Sequence, residues 1–238
     1  MRYLHFGSPW VQGAMRIARP WSLELEYTRD MMMALLLRPS ARWPKTALLI
    51  GLGAASLTKF LYRSRPRSAL TVVEIDAAVV RTAAQFFKLP PDPRRIEIEV
   101  CDGYDFVAAA ERKFDLILVD GFDAKNRIGS LDSLAFYRHC RARLSGRGVL
   151  VANFLNARGL AQSLERMSKA FSGRALALPH CESGNVIAIA ASGAPIALSL
   201  DAMRSGAERL KRETGLDLMP VLARLARTQL AGSGEFAL

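Results

Sequence analysis

Cysteine and histidine are scarce: the 238 residues hold three of each. Cys101, Cys140 and Cys181 are scattered and form no C-x-x-C pair, which excludes a disulfide framework and fits a reducing compartment. His5, His139 and His180 make neither an H-x-x-x-H nor an H-E-x-x-H pattern, so no metal is expected. The longest apolar runs reach only about ten residues, half of what a bilayer-spanning helix needs. Aromatics and glycine interrupt the first sixteen residues, where a signal peptide would be uniformly apolar. These absences predict a cytoplasmic protein with no membrane and no metal. Also missing is any block of five or more like charges. The net charge of +11 invites a nucleic-acid partner, yet its arginines are spread along the whole chain, which argues against one.

What is present is an ordinary globular composition, 50% hydrophobic and 23% charged, enough for one medium domain with a small appendage. From residue 47 short apolar runs alternate with helical patterns. Strands are expected in TALLIGLG, ALTVVEID, RIEIEVCDG, KFDLILVDGFD and GVLVANFLN, and helices through about residue 63 and over 77–87, 132–144 and 159–171. Two further apolar segments, RALALP and NVIAIAAS, flank the turn HCESGN and suggest an antiparallel hairpin. The reading is an α/β fold, a doubly wound and mainly parallel seven-stranded sheet with helices on both faces. It divides as a short N-terminal extension (1–45), a Rossmann-like nucleoside-binding catalytic domain (46–195), and C-terminal helices with a tail (196–238). Within the extension, RYLHF and WVQGAMRIA suggest short strands, and LELEYTRDMMMALLL has helical spacing. The last eight residues, AGSGEFAL, read as a loose tail.

In such a sheet, ligands bind beyond the carboxyl ends of the strands where the strand order reverses. Four of those ends are polar. Gly51 and Gly53 form a G-x-G turn that either bends the backbone toward a ligand or serves packing alone. Glu74-Ile75-Asp76 closes the second strand, with Glu74 about twenty residues beyond Gly53, the spacing of an acid that binds ribose hydroxyls. Asp76 equally suits an N-cap. Asp102-Gly103 follows the third strand, the acid suited to an adenine amino group or a cap and the glycine leaving room for the ring. Asp120 and Asp123, in D-G-F-D, end a strand too apolar to solvate them. Burial and mutual repulsion would raise one carboxyl toward the range of a base working at neutral pH. A simple turn capped by Asp123 is the blander reading.

These four sites, in this order, resemble the spermidine synthase (polyamine aminopropyltransferase) family. The likeness is clear over 48–156 and faint over 11–37. The family's G-G-G-D-G-G turn is similar to the run Gly51-Leu52-Gly53-Ala54-Ala55-Ser56. Its ribose-binding E-I-D matches Glu74-Ile75-Asp76, its adenine-binding D-G matches Asp102-Gly103, and its D-S-S-D matches Asp120-Gly121-Phe122-Asp123. The resemblance implies Asp120 as the base that deprotonates an attacking amine and Asp123 as a holder of that amine. It also implies nucleoside binding by Gln12 and substrate binding by Tyr27. The nucleoside would be decarboxylated S-adenosylmethionine or S-adenosylmethionine itself, with no metal, and the assembly a homodimer, which the apolar MMMALLL segment would also favour.

Three positions depart from the pattern. The acid of the glycine turn is Ala54, and the histidine and acid after the tyrosine are Thr28 and Arg29, with Asp30 as a shifted replacement for the acid. Losing a carboxylate and adding a guanidinium disfavours a cationic substrate. The resemblance implies transfer of an aminopropyl group to a small-molecule amine as the expected function, and these departures keep rivals open. The alternatives are methyl transfer from S-adenosylmethionine to a small or anionic substrate, and nucleoside binding without catalysis.

Overall fold

The structure, a computed structural model, describes residues 1–7, 11–121, 129–155, 159–228 and 234–238. Two short strands, β1 (Arg2–Leu4) and β2 (Gly13–Met15), pair antiparallel, and two short helices follow, α1 (Glu26–Met31) and α2 (Ala34–Leu37). The β-α alternation then runs β3 (Thr46–Ile50), α3 (Ser56–Ser64), β4 (Ala69–Glu74), α4 (Ala77–Phe86), β5 (Ile96–Val100), α5 (Gly103–Ala109) and β6 (Phe114–Val119). It continues as α6 (Leu134–Arg143), β7 (Leu144–Leu155), α7 (Leu160–Ala170), β8 (Ala175–Ala177) and β9 (Asn185–Ala191). The chain closes with β10 (Ala197–Ser199), α8 (Leu200–Thr214), α9 (Met219–Thr228) and β11 (Glu235–Ala237).

The main sheet has seven strands in the order β5-β4-β3-β6-β7-β9-β8. It is parallel through β7, and β9 runs antiparallel to both β7 and β8, the hairpin finish that the sequence suggests. Strand residues alternate between two buried clusters. Ala47, Leu49, Leu70, Val72, Leu116 and Leu118 face one side, with α3, α8 and α9. Leu48, Ile50, Val73, Ile117 and Val119 face the other, with α5, α6 and α7. Two covered faces explain why these strands read as unbroken apolar runs rather than as alternating ones. Strand order reverses between β3 and β6, so the loops that leave these two neighbours, starting at Gly51 and Asp120, open a crevice side by side.

Two expectations are corrected. The described end of the tail, 234–238, is not loose: β11 pairs antiparallel with β10, and Phe236 is 1% exposed within the first cluster. The buried Phe236 and Leu238 alternate with exposed neighbours, a period of two too short to stand out in a glycine-containing segment. The MMMALLL segment is also not an open apolar face. Met31 to Leu37 are all buried inside the chain's own core, so the segment supplies no argument for a homodimer.

Candidate active site

The glycine turn that leaves β3 is held from β4, Gly51 N donating to Val73 O at 2.8 Å and Leu52 N to Glu74 Oε2 at 2.9 Å. Gly51 has φ +93°, and a Cβ there would stand 2.3 Å from the Asp120 carbonyl oxygen. Glycine at 51 therefore lets the ends of β3 and β6 touch, the packing alternative of the sequence reading. Asp120 N in turn donates to Ile50 O at 2.9 Å. Gly53, at φ +49°, has only Gln12 O as far out as 4.0 Å from where its Cβ would be, so this corner of the turn is open. That contact also brings Gln12 against the turn. Ala55 takes a left-handed φ of +56° just ahead of α3.

Glu74 ends β4 and is almost buried. Its Oε2 accepts from Leu52 N at 2.9 Å and its Oε1 from Asp76 N at 3.1 Å. The predicted ribose ligand thus also fixes the shape of the glycine turn, and a carboxylate's four lone-pair sites leave acceptor capacity beyond those two bonds. Ile75 beside it is 69% exposed. Asp76 caps α4 by accepting from Ala78 N at 2.7 Å. Asp102 caps α5, its Oδ1 accepting from Tyr104 N and Asp105 N. At Gly103 a Cβ would meet Ile50 Cγ2 at 2.5 Å, so its missing side chain makes room for Ile50.

Asp120 stands one residue past β6, half-buried, with both oxygens held. Tyr27 Oη, from α1, donates to Oδ2 at 3.1 Å, and Asn153 Nδ2, from β7, donates to Oδ1 at 2.8 Å. Asn153 is held in turn, its Oδ1 accepting from Asn185 Nδ2 at 3.0 Å, and Asn185 Oδ1 accepts from Ser183 Oγ at 2.9 Å. Burial pushes the Asp120 carboxyl up to about 6, against the two hydrogen bonds, which favour its ionised form. Burial and the neighbouring Asp120 push the Tyr27 phenol well above its usual range, so it remains a donor. Asp123 lies outside the described residues.

Asn153 and Asn185 belong to the candidate site through these bonds, and sequence reasoning missed them. For Asn153 the available signal was a single amide inside the otherwise apolar run GVLVANFL, one step beyond the residue that pairs with Val119. A buried amide in such a strand needs a polar partner.

The departures take on a different meaning in three dimensions. Ala54 is 3% exposed and packs with Leu4, Met15 and Phe87 beneath the β1–β2 hairpin, its Cβ 2.5 Å from the point where Gly13 would carry one. Arg29 adds no charge beside Asp120. Two positions along a helix from Tyr27, it points to a different face, donates to the carbonyls of Leu23 and Glu24, and lines a separate cleft of about 250 Å³ with Arg19 and Trp21. Thr28 is buried and donates to Leu25 O at 2.6 Å. Asp30 does not replace the missing acid, because it is 3% exposed and bonded to Arg224 from α9.

Residues 25–193 match the spermine/spermidine synthase domain family. The polyamine aminopropyltransferase of Chromobacterium violaceum is 34% identical over 236 residues, covering 99% of this chain and 89% of that protein. Its namesake from Neisseria meningitidis is 34% identical over 226 residues, 94% of this chain and 85% of the relative. Among solved structures, human methyltransferase-like protein 13 in complex with SAH superposes with a TM-score of 0.70 at 23% identity, over 80% of this chain and 93% of that one. A spermidine synthase in complex with the transition-state analogue AdoDATO gives 0.68 at 22% identity, over 84% and 71%. These structures share the methyltransferase-like fold, and the sequence matches are what decide between families. The chain belongs to the spermine/spermidine synthase family.

Proposed function

We propose that this chain is an aminopropyltransferase that uses decarboxylated S-adenosylmethionine and a small amine, with Asp120 as its base. The observation that carries the reading is a carboxyl raised to about 6, held at both oxygens at the open end of β6 beside the glycine turn. It occurs in a chain 34% identical over nearly its whole length to a polyamine aminopropyltransferase. The turn fits a nucleoside: Gly53 leaves one face open, Gln12 borders it, and Glu74 and Asp102 stand at the ends of the next two strands. Ile75, exposed beside Glu74, is an apolar surface for the base. Asp123 is assigned, by the family's pattern, to holding the amine together with Tyr27. Residues 46–195 then carry the nucleoside, 1–45 supply Gln12 and Tyr27, and 196–238 brace the site. A homodimer and a cytoplasmic location belong to the same proposal.

The chemistry is an in-line displacement. Asp120, ionised above its midpoint, accepts the proton of the attacking amine as the nitrogen bonds to the methylene carbon next to the sulfonium. The C–S bond breaks with its electrons going to sulfur, which leaves as a neutral thioether. Orientation and partial desolvation supply the remainder. Methyl transfer is not favoured, since the sequence relatives are aminopropyltransferases. Calorimetric titration with S-adenosylmethionine and its decarboxylated form tests the reading. Preference for the decarboxylated form by about tenfold, some 1.4 kcal/mol, is expected, and the opposite preference would sink it.

A further inference from the structure

Arg224 lies on α9, nearly two hundred residues from α1 in sequence, yet its guanidinium is spent on α1. Nη1 donates to Glu26 Oε1 at 2.6 Å and Nη2 to Asp30 Oδ2. Glu26 and Asp30 are four residues apart and share one face of α1, so a single planar fork spans both. Tyr27, which holds Asp120 Oδ2, is the residue after Glu26. The other Glu26 oxygen, Oε2, accepts from Glu182 N at 2.8 Å, in the turn between β8 and β9. Three residues further on, Asn185 holds Asn153, which holds Asp120 Oδ1. Both arms that grip Asp120 therefore start from Glu26, and Arg224 fixes Glu26.

We propose that Arg224 is a positioning residue for Asp120, acting through Glu26 on Tyr27 and on the Asn185–Asn153 pair. The inference rests on the assignment of Asp120 as the base. It makes the C-terminal helices part of the active-site scaffold. Burial raises the Asp30 carboxyl to about 6 while Arg224 opposes that rise, so without the guanidinium two neighbouring acids on α1 lose their common counter-ion. The buried Cys181, whose thiol donates to Asn185 O at 3.1 Å, faces this cluster from the β8–β9 turn, and Arg29 adds a nearby positive charge on α1.

The test compares Arg224→Gln and Arg224→Lys with Arg227→Gln, which removes a like charge from the exposed side of the same helix. Loosening Tyr27 and Asn153 removes bonds that favour ionised Asp120, so its midpoint should rise. A rise of about half a unit or more is expected, read by ¹³C NMR of the carboxyl groups with Asp120→Asn for assignment. Turnover should fall about tenfold with nucleoside affinity within about threefold, the pattern of a lost positioning contact. Lysine keeps the charge without the fork and should give an intermediate shift. It also carries the test should the glutamine variant not fold. If the Asp120 midpoint and turnover in the Arg224 variants match the Arg227→Gln control and only melting temperature changes, the positioning role is overturned. Because the titration needs no turnover, an inactive wild-type protein would count against the proposed function and leave this inference separately decided.

Discussion

As the proposed base, Asp120 combines two demands that pull apart: it would have to ionise to accept a proton, and burial makes ionisation costly. Its folded midpoint of about 6 lies above that of an unfolded aspartate. A raised carboxyl contributes stability that is fully present below the unfolded value, near 4, and is lost as pH rises through the folded value, near 6. Turnover should therefore climb with pH through a midpoint near 6, while wild-type stability falls across the same window. Asp120→Asn should abolish turnover and show a melting temperature that drops less between pH 4 and pH 6 than the wild type's, the remaining drop coming from Asp30, whose carboxyl is also raised to about 6. A pH-rate series with parallel thermal melts checks this, and an active Asp120→Asn protein would remove the assignment. Ala54 gives a second prediction. From the sequence, its missing acid looked like a vacancy in the substrate site, but its side chain is buried under Leu4 and Met15 against Gly13. Restoring the acid, Ala54→Asp, should cost about 2 kcal/mol or more in urea unfolding, the price of an unpaired buried carboxyl, and should not tighten binding of the decarboxylated nucleoside.

Elements that alternate strand with helix were legible because both sheet faces are buried and each strand is a dense apolar run. The order of the four polar strand ends was legible as well, since each acid follows its strand directly. What escaped sequence reading is the set of contacts made between distant elements. Glu74 and Asp102 sit where expected, yet part of each carboxylate serves the turn or helix beside it. Gly51 and Gly103 are small because Asp120 O and Ile50 press against them, which no spacing rule reveals. Asn153 was one amide in an apolar run, and only the register of β6 against β7 sets it beside Asp120. The β10–β11 pair is the clearest miss, a three-residue strand hidden in a glycine-containing tail. Phe236, its anchor, is 1% exposed, so Phe236→Ala should cost about 3–5 kcal/mol by denaturant unfolding. A change under about 0.5 kcal/mol would mean that β11 does not anchor the C-terminal segment.

At the scale of the molecule, the parts form one scaffold around the β3–β6 switch point. The sheet delivers Glu74, Asp102 and Asp120 to one edge, the N-terminal segment brings Gln12 and Tyr27 across it, and the C-terminal helices hold that segment through Arg224. The charge of +11 is not explained by this site, whose described side chains are mostly acidic or neutral. The same fold occurs in the human methyltransferase-like protein in complex with SAH and in a spermidine synthase, so architecture alone does not choose the transferred group. The leaving nucleoside does. Incubated with an amine panel and each sulfonium nucleoside in turn, the chain should release 5′-methylthioadenosine from decarboxylated S-adenosylmethionine, dependent on the amine and absent in Asp120→Asn. Release of S-adenosylhomocysteine from S-adenosylmethionine instead, or of neither product with any amine, would contradict the account.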